Sequence, residues 1–223
     1  MFAATSAELR DHWVWRPEWT VERTCLYWYH TFRRGQLVDA LGKDLLRCVA
    51  RTDWLDAVPP EWCHVTVSDV GFTDELSRSD VERVTSAVAD AVAVEDHIRL
   101  TLGPVQTFAS AVVLAVGPLD RLRAVKATVL RTTSAVLGPR HADVHRLYWP
   151  HASLGYVNRP VDADTATHFR DALPPAAGRL DVEALTLAAV TRRNRRYEWE
   201  VQAQVHLPAD VRSGHLRRPR HQA

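Results

Sequence analysis

Apolar and polar positions divide the chain into short strands and amphipathic helices, arranged in two similar halves. In the first half, RTCLYWYHTF (residues 23–32) is aromatic and β-branched and predicts a strand, which Gly35 breaks. QLVDALGKDLLRCVA then sets Leu37, Leu41, Leu45, Cys48 and Val49 at helical spacing, and Pro59 and Pro60 end the unit. CHVTV follows as a strand. SRSDVERVTSAVADAVAV predicts a helix capped by Ser79, with Glu82 three residues on, and HIRLTLG alternates as a third strand.

The second half repeats this order. AVVLAVG (residues 111–117) reads as a strand, and the next segment places Leu119, Leu122, Val125, Val129 and Val136 on one helical face ending at Gly138, a C-cap. After the loop PRHADVHRLYWP comes the strand HASLGYV (residues 151–157). VDADTATHFRDAL is a short helix stopped by Pro174 and Pro175. DVEALTLAAV and YEWEVQAQVHL are two further strands, forming a hairpin across RRNRR. The expectation is an α+β fold of two pseudo-symmetric lobes. Each lobe is an antiparallel sheet with helices on its outer face, and a cleft lies between them. Residues 1–22 form a Trp-rich N-terminal arm and 23–207 a single bilobal domain, with lobe one at about 23–103 and lobe two at about 111–207. The basic, aperiodic tail 208–223 is expected to be disordered.

The third element of each half opens with histidine, one residue, then a hydroxyl: His64-Val65-Thr66 and His151-Ala152-Ser153. Of the eleven histidines only these two have Ser or Thr at the second following position. Side chains alternate across a strand, so His64 shares a face with Thr66 and His151 with Ser153, while Val65, Val67, Ala152 and Leu154 point to the other. If the lobes are symmetric, the pairs meet across the cleft. Two imidazoles and two hydroxyls suit in-line displacement at a phosphodiester. Histidine titrates near neutrality, so one ring can take a proton from water and the other give one to the departing oxygen. The hydroxyls donate to the non-bridging oxygens, where charge builds up. The residues alone leave open whether these rings work or are merely satisfied.

Composition narrows the setting. A formal net charge of +1 marks no general nucleic-acid surface, so any such contact is local. Cys25, Cys48 and Cys63 are odd in number and form no CxxC pair, against a disulfide framework or structural zinc. The N-terminus shows no signal-peptide pattern, and no apolar run approaches the roughly 18 residues of a membrane span, so a cytoplasmic protein is expected. Of the eight tryptophans, Trp13, Trp15, Trp19 and Trp28 crowd the N-terminus, more as packing anchors than as base-stacking platforms.

These residues resemble the 2H (two-histidine) phosphoesterase superfamily and, within it, the 2′-5′ RNA ligase-like proteins, which carry two H-x-[ST]-x motifs in pseudo-symmetric lobes. HVTV and HASL match both motifs. PPEWCHVTVSDVGF, YWPHASLGYV, RRNRRYEWE and the opening DHWVWRPEW are similar in their flanks. The resemblance covers about residues 11–207 and implies an enzyme acting on RNA-end phosphodiesters. The implied activity is opening of 2′,3′-cyclic phosphates, with reversible 2′-5′ ligation as a companion, and no metal or cofactor. It assigns catalysis to His64, Thr66, His151 and Ser153, and His151 is read as base and His64 as acid. Ser153 stands for the commoner Thr and keeps the donor. Partners would be RNA ends or nucleotide cyclic phosphates, with no membrane, and a monomer is expected.

Supporting residues are less specific. Arg195 and Arg196 in the basic turn, and Arg146, are candidate phosphate contacts; Tyr148 and Tyr197 are candidate base-stacking residues. The turn reads equally as a solvated hairpin tip, and the tyrosines as packing. A non-catalytic RNA-end binding module and a small cyclic-nucleotide phosphodiesterase remain competing readings.

Overall fold

The aromatic strand ahead of Gly35 forms β1 (Cys25–Thr31) in the computed structural model, which describes residues 8–14, 19–32, 35–93, 98–139, 148–182 and 184–207. The helical pattern after it is divided at Gly42, whose φ of 81° lies in the left-handed region. The result is α1 (Gln36–Leu41) and α2 (Lys43–Ala50), which bury Leu37, Leu41, Leu45 and Val49 and leave Cys48 exposed. A short β2 (Leu55–Ala57), not expected from the sequence, precedes β3 (His64–Phe72). α3 (Arg78–Val92) is capped by Ser77 rather than Ser79. The Asp80 backbone N–H donates to Ser77 Oγ, and the Asp80 carboxylate accepts from the Ser77 N–H, each at 3.1 Å. The box therefore closes two residues earlier, with Asp80 in place of Glu82.

β4 (Ile98–Phe108) and β5 (Ala111–Gly117) form a hairpin, and α4 (Leu119–Leu137) ends at Gly138 as the sequence predicts, with φ of 95°. β6 (His151–Val157) and α5 (Ala163–Ala172) follow. The single strand expected over DVEALTLAAV is two, β7 (Gly178–Val182) and β8 (Ala184–Arg193), because they pair with different partners. β8 turns into β9 (Arg196–His206) across Asn194 and Arg195, whose φ values of 49° and 54° suit a two-residue hairpin that keeps the strand twist. The predicted tail and Arg146 lie outside the described residues.

Among the described residues the strands form one antiparallel sheet, in the order β7-β4-β5-β6-β3-β1-β8-β9, with β2 on β6. The two sequence halves exchange a strand. β4, which follows the helices of the first half, pairs with β5 of the second, and β8 of the second pairs with β1 of the first. The spatial lobes are thus β7-β4-β5-β6 and β3-β1-β8-β9. They meet where Val65 on β3 pairs with Ala152 on β6. Hydrophobic periodicity specifies each strand's buried face but not its neighbour, so this exchange is invisible locally.

One face of the sheet receives the helices. Val65, Val67, Ala152 and Leu154 are buried in a core shared with Val84 and Val88 of α3 and Leu122, Val125 and Val129 of α4. Each fully buried valine or leucine among them is worth about 1.5–3 kcal/mol. The alternate residues of β3 and β6 are left to the opposite face, where the cleft lies.

Candidate active site

The Val65–Ala152 pair is the centre of the site. Continuing its antiparallel register sets His64 opposite Ser153 and Thr66 opposite His151, so each motif's imidazole faces the other motif's hydroxyl. All four line one cleft cavity of about 250 Å³. Cys63 ties the strands together, its thiol donating to the Ser153 carbonyl at 3.6 Å. Burial pushes that thiol up to about 12, which leaves it a packing group.

The two imidazoles are held alike. Each Nδ1 lies on the main-chain carbonyl two residues earlier, His64 on Trp62 at 2.8 Å and His151 on Trp149 at 2.9 Å. A carbonyl only accepts, so Nδ1 carries the proton and Nε2 is the basic nitrogen of the neutral ring. Each ring also has an aromatic support. Tyr29 stacks on His64 with centroids 3.8 Å apart, and Trp149 on His151 at 5.3 Å. Desolvation lowers His64 to about 4, against the opposing hydrogen bond to Trp62 and with help from His151; desolvation also lowers His151. Both rings of the free protein are therefore neutral at pH 7.

Around them lie hydroxyls that were not singled out from the sequence. Ser68 continues the His64, Thr66 alternation into the cleft, and its buried Oγ has no hydrogen-bond partner among the described residues. Tyr27, Tyr29 and Tyr156 also line the cavity. Tyr156 is a hydrogen-bond partner of Ser153, and burial raises its phenol above the usual range. Lys126, partly buried on the face of α4 that carries Leu122 and Val129, brings the cleft a cation; its Nζ donates to the Val67 carbonyl at 3.1 Å. A lysine at such a position was the signal that an apolar-face reading overlooked.

A third imidazole comes from the N-terminal arm. His12 Nδ1 and Nε2 lie 2.8 Å from Ser110 Oγ and Tyr197 Oη, and the ring stacks on Tyr156 at 4.3 Å. Burial first, then the nearby Arg192, lowers it to about 4. The arm is an anchor, as its tryptophans suggest: Trp13 Nε1 donates to Asp56 at 2.7 Å and Trp19 is buried.

Of the secondary candidates, Tyr197 lines the cleft. Tyr148 is adjacent, its hydroxyl donating to the Thr66 carbonyl at 3.2 Å and its ring under Lys126, but it is not a lining residue. Arg195 is not brought to the cleft. Its guanidinium donates to Asp56 and to the Asn158 carbonyl, each at 2.7 Å. Arg196 sits 3.9 Å from Glu198, also away from the lining. The basic turn fastens the arm instead, since Arg192 of β8 donates to the Trp13 carbonyl at 2.7 Å.

A sequence model described as the 2′-5′ RNA ligase superfamily matches residues 41–194, which include both motifs. The chain belongs to this superfamily. Solved structures similar in fold include TT0787 of Thermus thermophilus, at TM-score 0.62 and 17% identity, over 82% of this chain and 97% of that one. E. coli LigT complexed with 3′-AMP gives 0.62 and 14%, over 84% and 100%. ATU0111 from Agrobacterium tumefaciens gives 0.53 and 14%, over 86% and 93%. No curated protein matches by sequence. His12 and Tyr197 both fall outside the superfamily match.

The lowered imidazoles have a consequence for stability. The folded pKa values of His12, His30 and His64 are about 4, below the ordinary 6.5, and that of His151 is also lowered. Below pH 6.5 the unfolded chain therefore binds protons that the folded one refuses. Stability is full above this value and is lost as pH falls towards 4, by up to about 1.4 kcal/mol per pH unit for each ring. The lowered carboxylates Asp53, Asp74 and Asp162 act below 3.8, outside this window. Urea midpoints are expected to hold from pH 7.5 to about 6.5 and to fall from there to 4.5; a series flat throughout would show that the rings protonate as freely folded as unfolded.

Proposed function

We propose that the cleft is the active site of a phosphoesterase that opens 2′,3′-cyclic phosphates at RNA ends or on nucleotides, without a metal ion. The observation that carries this reading is the matched seating of His64 and His151, each held through Nδ1–H with Nε2 as its basic atom, in one cleft with Thr66 and Ser153. The 3′-AMP bound by E. coli LigT supports a nucleotide end as ligand.

In this mechanism His151 Nε2 takes a proton from water as the water oxygen attacks phosphorus. The bond to one ribose oxygen breaks, and His64, as imidazolium, protonates that oxygen. The products are a phosphomonoester and a free hydroxyl; 2′-5′ ligation is the same displacement with the hydroxyl of a second RNA end attacking in place of water, and its reversal regenerates the cyclic phosphate. Hydroxyls of Thr66, Ser153 and Ser68 donate to the non-bridging oxygens as charge accumulates.

Both rings are neutral in the free protein, so the proton on His64 depends on the substrate. An anionic phosphodiester offsets the desolvation of the imidazolium and raises its pKa, while repulsion between the rings keeps His151 neutral. In kcat/KM the protonated fraction of the free enzyme falls as pH rises through the low free value. In kcat it falls only through the higher value of the complex. Steady-state rates on a nucleoside 2′,3′-cyclic phosphate in EDTA are expected to show the alkaline limb of kcat at higher pH than that of kcat/KM. Coincident limbs, or loss of turnover in EDTA, would remove this mechanism.

A further inference from the structure

A second chamber, of about 760 Å³, opens from the cleft and shares His12, His151, Ser153 and Tyr156 with it. We infer that this chamber is a subsite for the nucleobase of the substrate, walled on one side by the N-terminal arm; the inference rests on the hydrolase reading above and specifies its substrate class as a base-bearing cyclic phosphate.

Size gives the first reason. Small-molecule sites usually enclose about 300–1,000 Å³. The cavity between the histidines, at about 250 Å³, suits a cyclic phosphate and its sugar, and a whole nucleotide needs the adjoining space. The chamber is continuous with the second motif, so a group attached to a phosphate at His151 enters it directly.

The lining gives the second reason. Phe108, at the end of β4, is 51% exposed, and Val14 of the arm is 74% exposed; both stand on this chamber and leave half or more of their surface uncovered. The Phe108 ring rests against Trp149 at 4.6 Å, and Trp149 stacks on His151, so an aromatic row leads from the imidazole to the chamber. Exposed aromatic and apolar surface beside a catalytic pocket marks a place for a flat apolar ring, and a nucleobase offers one. Arg10, Asp11 and Glu8 provide polar groups for its edges.

The wall is built rather than draped. Leu9 and Val161 exchange two backbone hydrogen bonds, of 2.8 and 2.9 Å, and Arg10 N–H donates to the Ala109 carbonyl at 3.0 Å. Residues 8–14 precede the superfamily match, which starts at residue 41, so this wall belongs to the part of the chain outside it.

The test compares adenosine 2′,3′-cyclic phosphate with glycerol 1,2-cyclic phosphate, which has the same five-membered phosphodiester and no base. The ratio of their kcat/KM values is expected to fall about tenfold in Phe108→Ala and to be restored in Phe108→Tyr. A ratio within twofold of the wild type in Phe108→Ala would overturn the subsite. If the wild type opens neither substrate, the hydrolase reading has failed, and calorimetry then decides the chamber alone. A preference for 3′-AMP over inorganic phosphate that drops about tenfold in Phe108→Ala upholds it. Equal binding of the two ligands, or a preference insensitive to the substitution, overturns it.

Discussion

Replacing either His64 or His151 with alanine is expected to lower turnover of a nucleoside 2′,3′-cyclic phosphate by about 10³- to 10⁴-fold, near the upper end of what a general acid or base supplies. The effect follows from the shared geometry. Each ring's Nδ1–H is committed to a carbonyl, so each has one nitrogen left for chemistry, and in the proposed mechanism the two perform opposite halves of one proton transfer. Removing either interrupts the path, so the double variant should be little worse than the worse single one. Neither substitution deletes a core side chain, since both rings are only partly buried, and Val65 and Ala152 hold the strand register. Rates measured beside a thermal melt separate lost chemistry from lost fold. A single variant that melts normally and retains more than a tenth of the wild-type rate would break the two-histidine account.

Loss of a motif hydroxyl should cost about 10²-fold per site, seen in Thr66→Val or Ser153→Ala. In the proposed mechanism the hydroxyl hydrogens meet non-bridging oxygens whose charge grows towards the transition state, so the fall should appear in kcat rather than KM. Ser153 also contacts Tyr156, so Ser153→Ala removes a partner of that phenol as well. Ser68→Ala should cost less, because it stands one alternate position further along β3 from Thr66. An effect of Thr66→Val confined to KM would assign the hydroxyl to ground-state binding.

The motif strands were legible because alternation is a local property. His64 and Thr66, and His151 and Ser153, share a face on any strand, and the apolar residues between them fix which face is buried. The same rule extended by two residues would have found Ser68. Lys126 was legible in principle, as a charged residue on the stripe defined by Leu122 and Val129. The break at Gly42 was legible in principle as well, as a glycine inside a helical pattern. The exchange of β4 and β8 and the position of His12 were not. They depend on which distant segments meet, and hydrophobic periodicity carries no record of the partner. Arg195 and Arg196 illustrate the converse. A basic turn suggests phosphate, but here Arg195 finds Asp56 and the Asn158 carbonyl, and the cleft is lined by tyrosines, hydroxyls and Lys126.

Phosphorus NMR of a short RNA ending in a 2′,3′-cyclic phosphate, mixed with the protein in EDTA, tests the central claim most directly. The account predicts that the cyclic resonance is replaced by that of one phosphomonoester, at a rate proportional to enzyme, and that it persists with His64→Ala or His151→Ala. A cyclic resonance that survives while the wild-type protein binds the RNA would contradict it and leave an RNA-end binding module in its place.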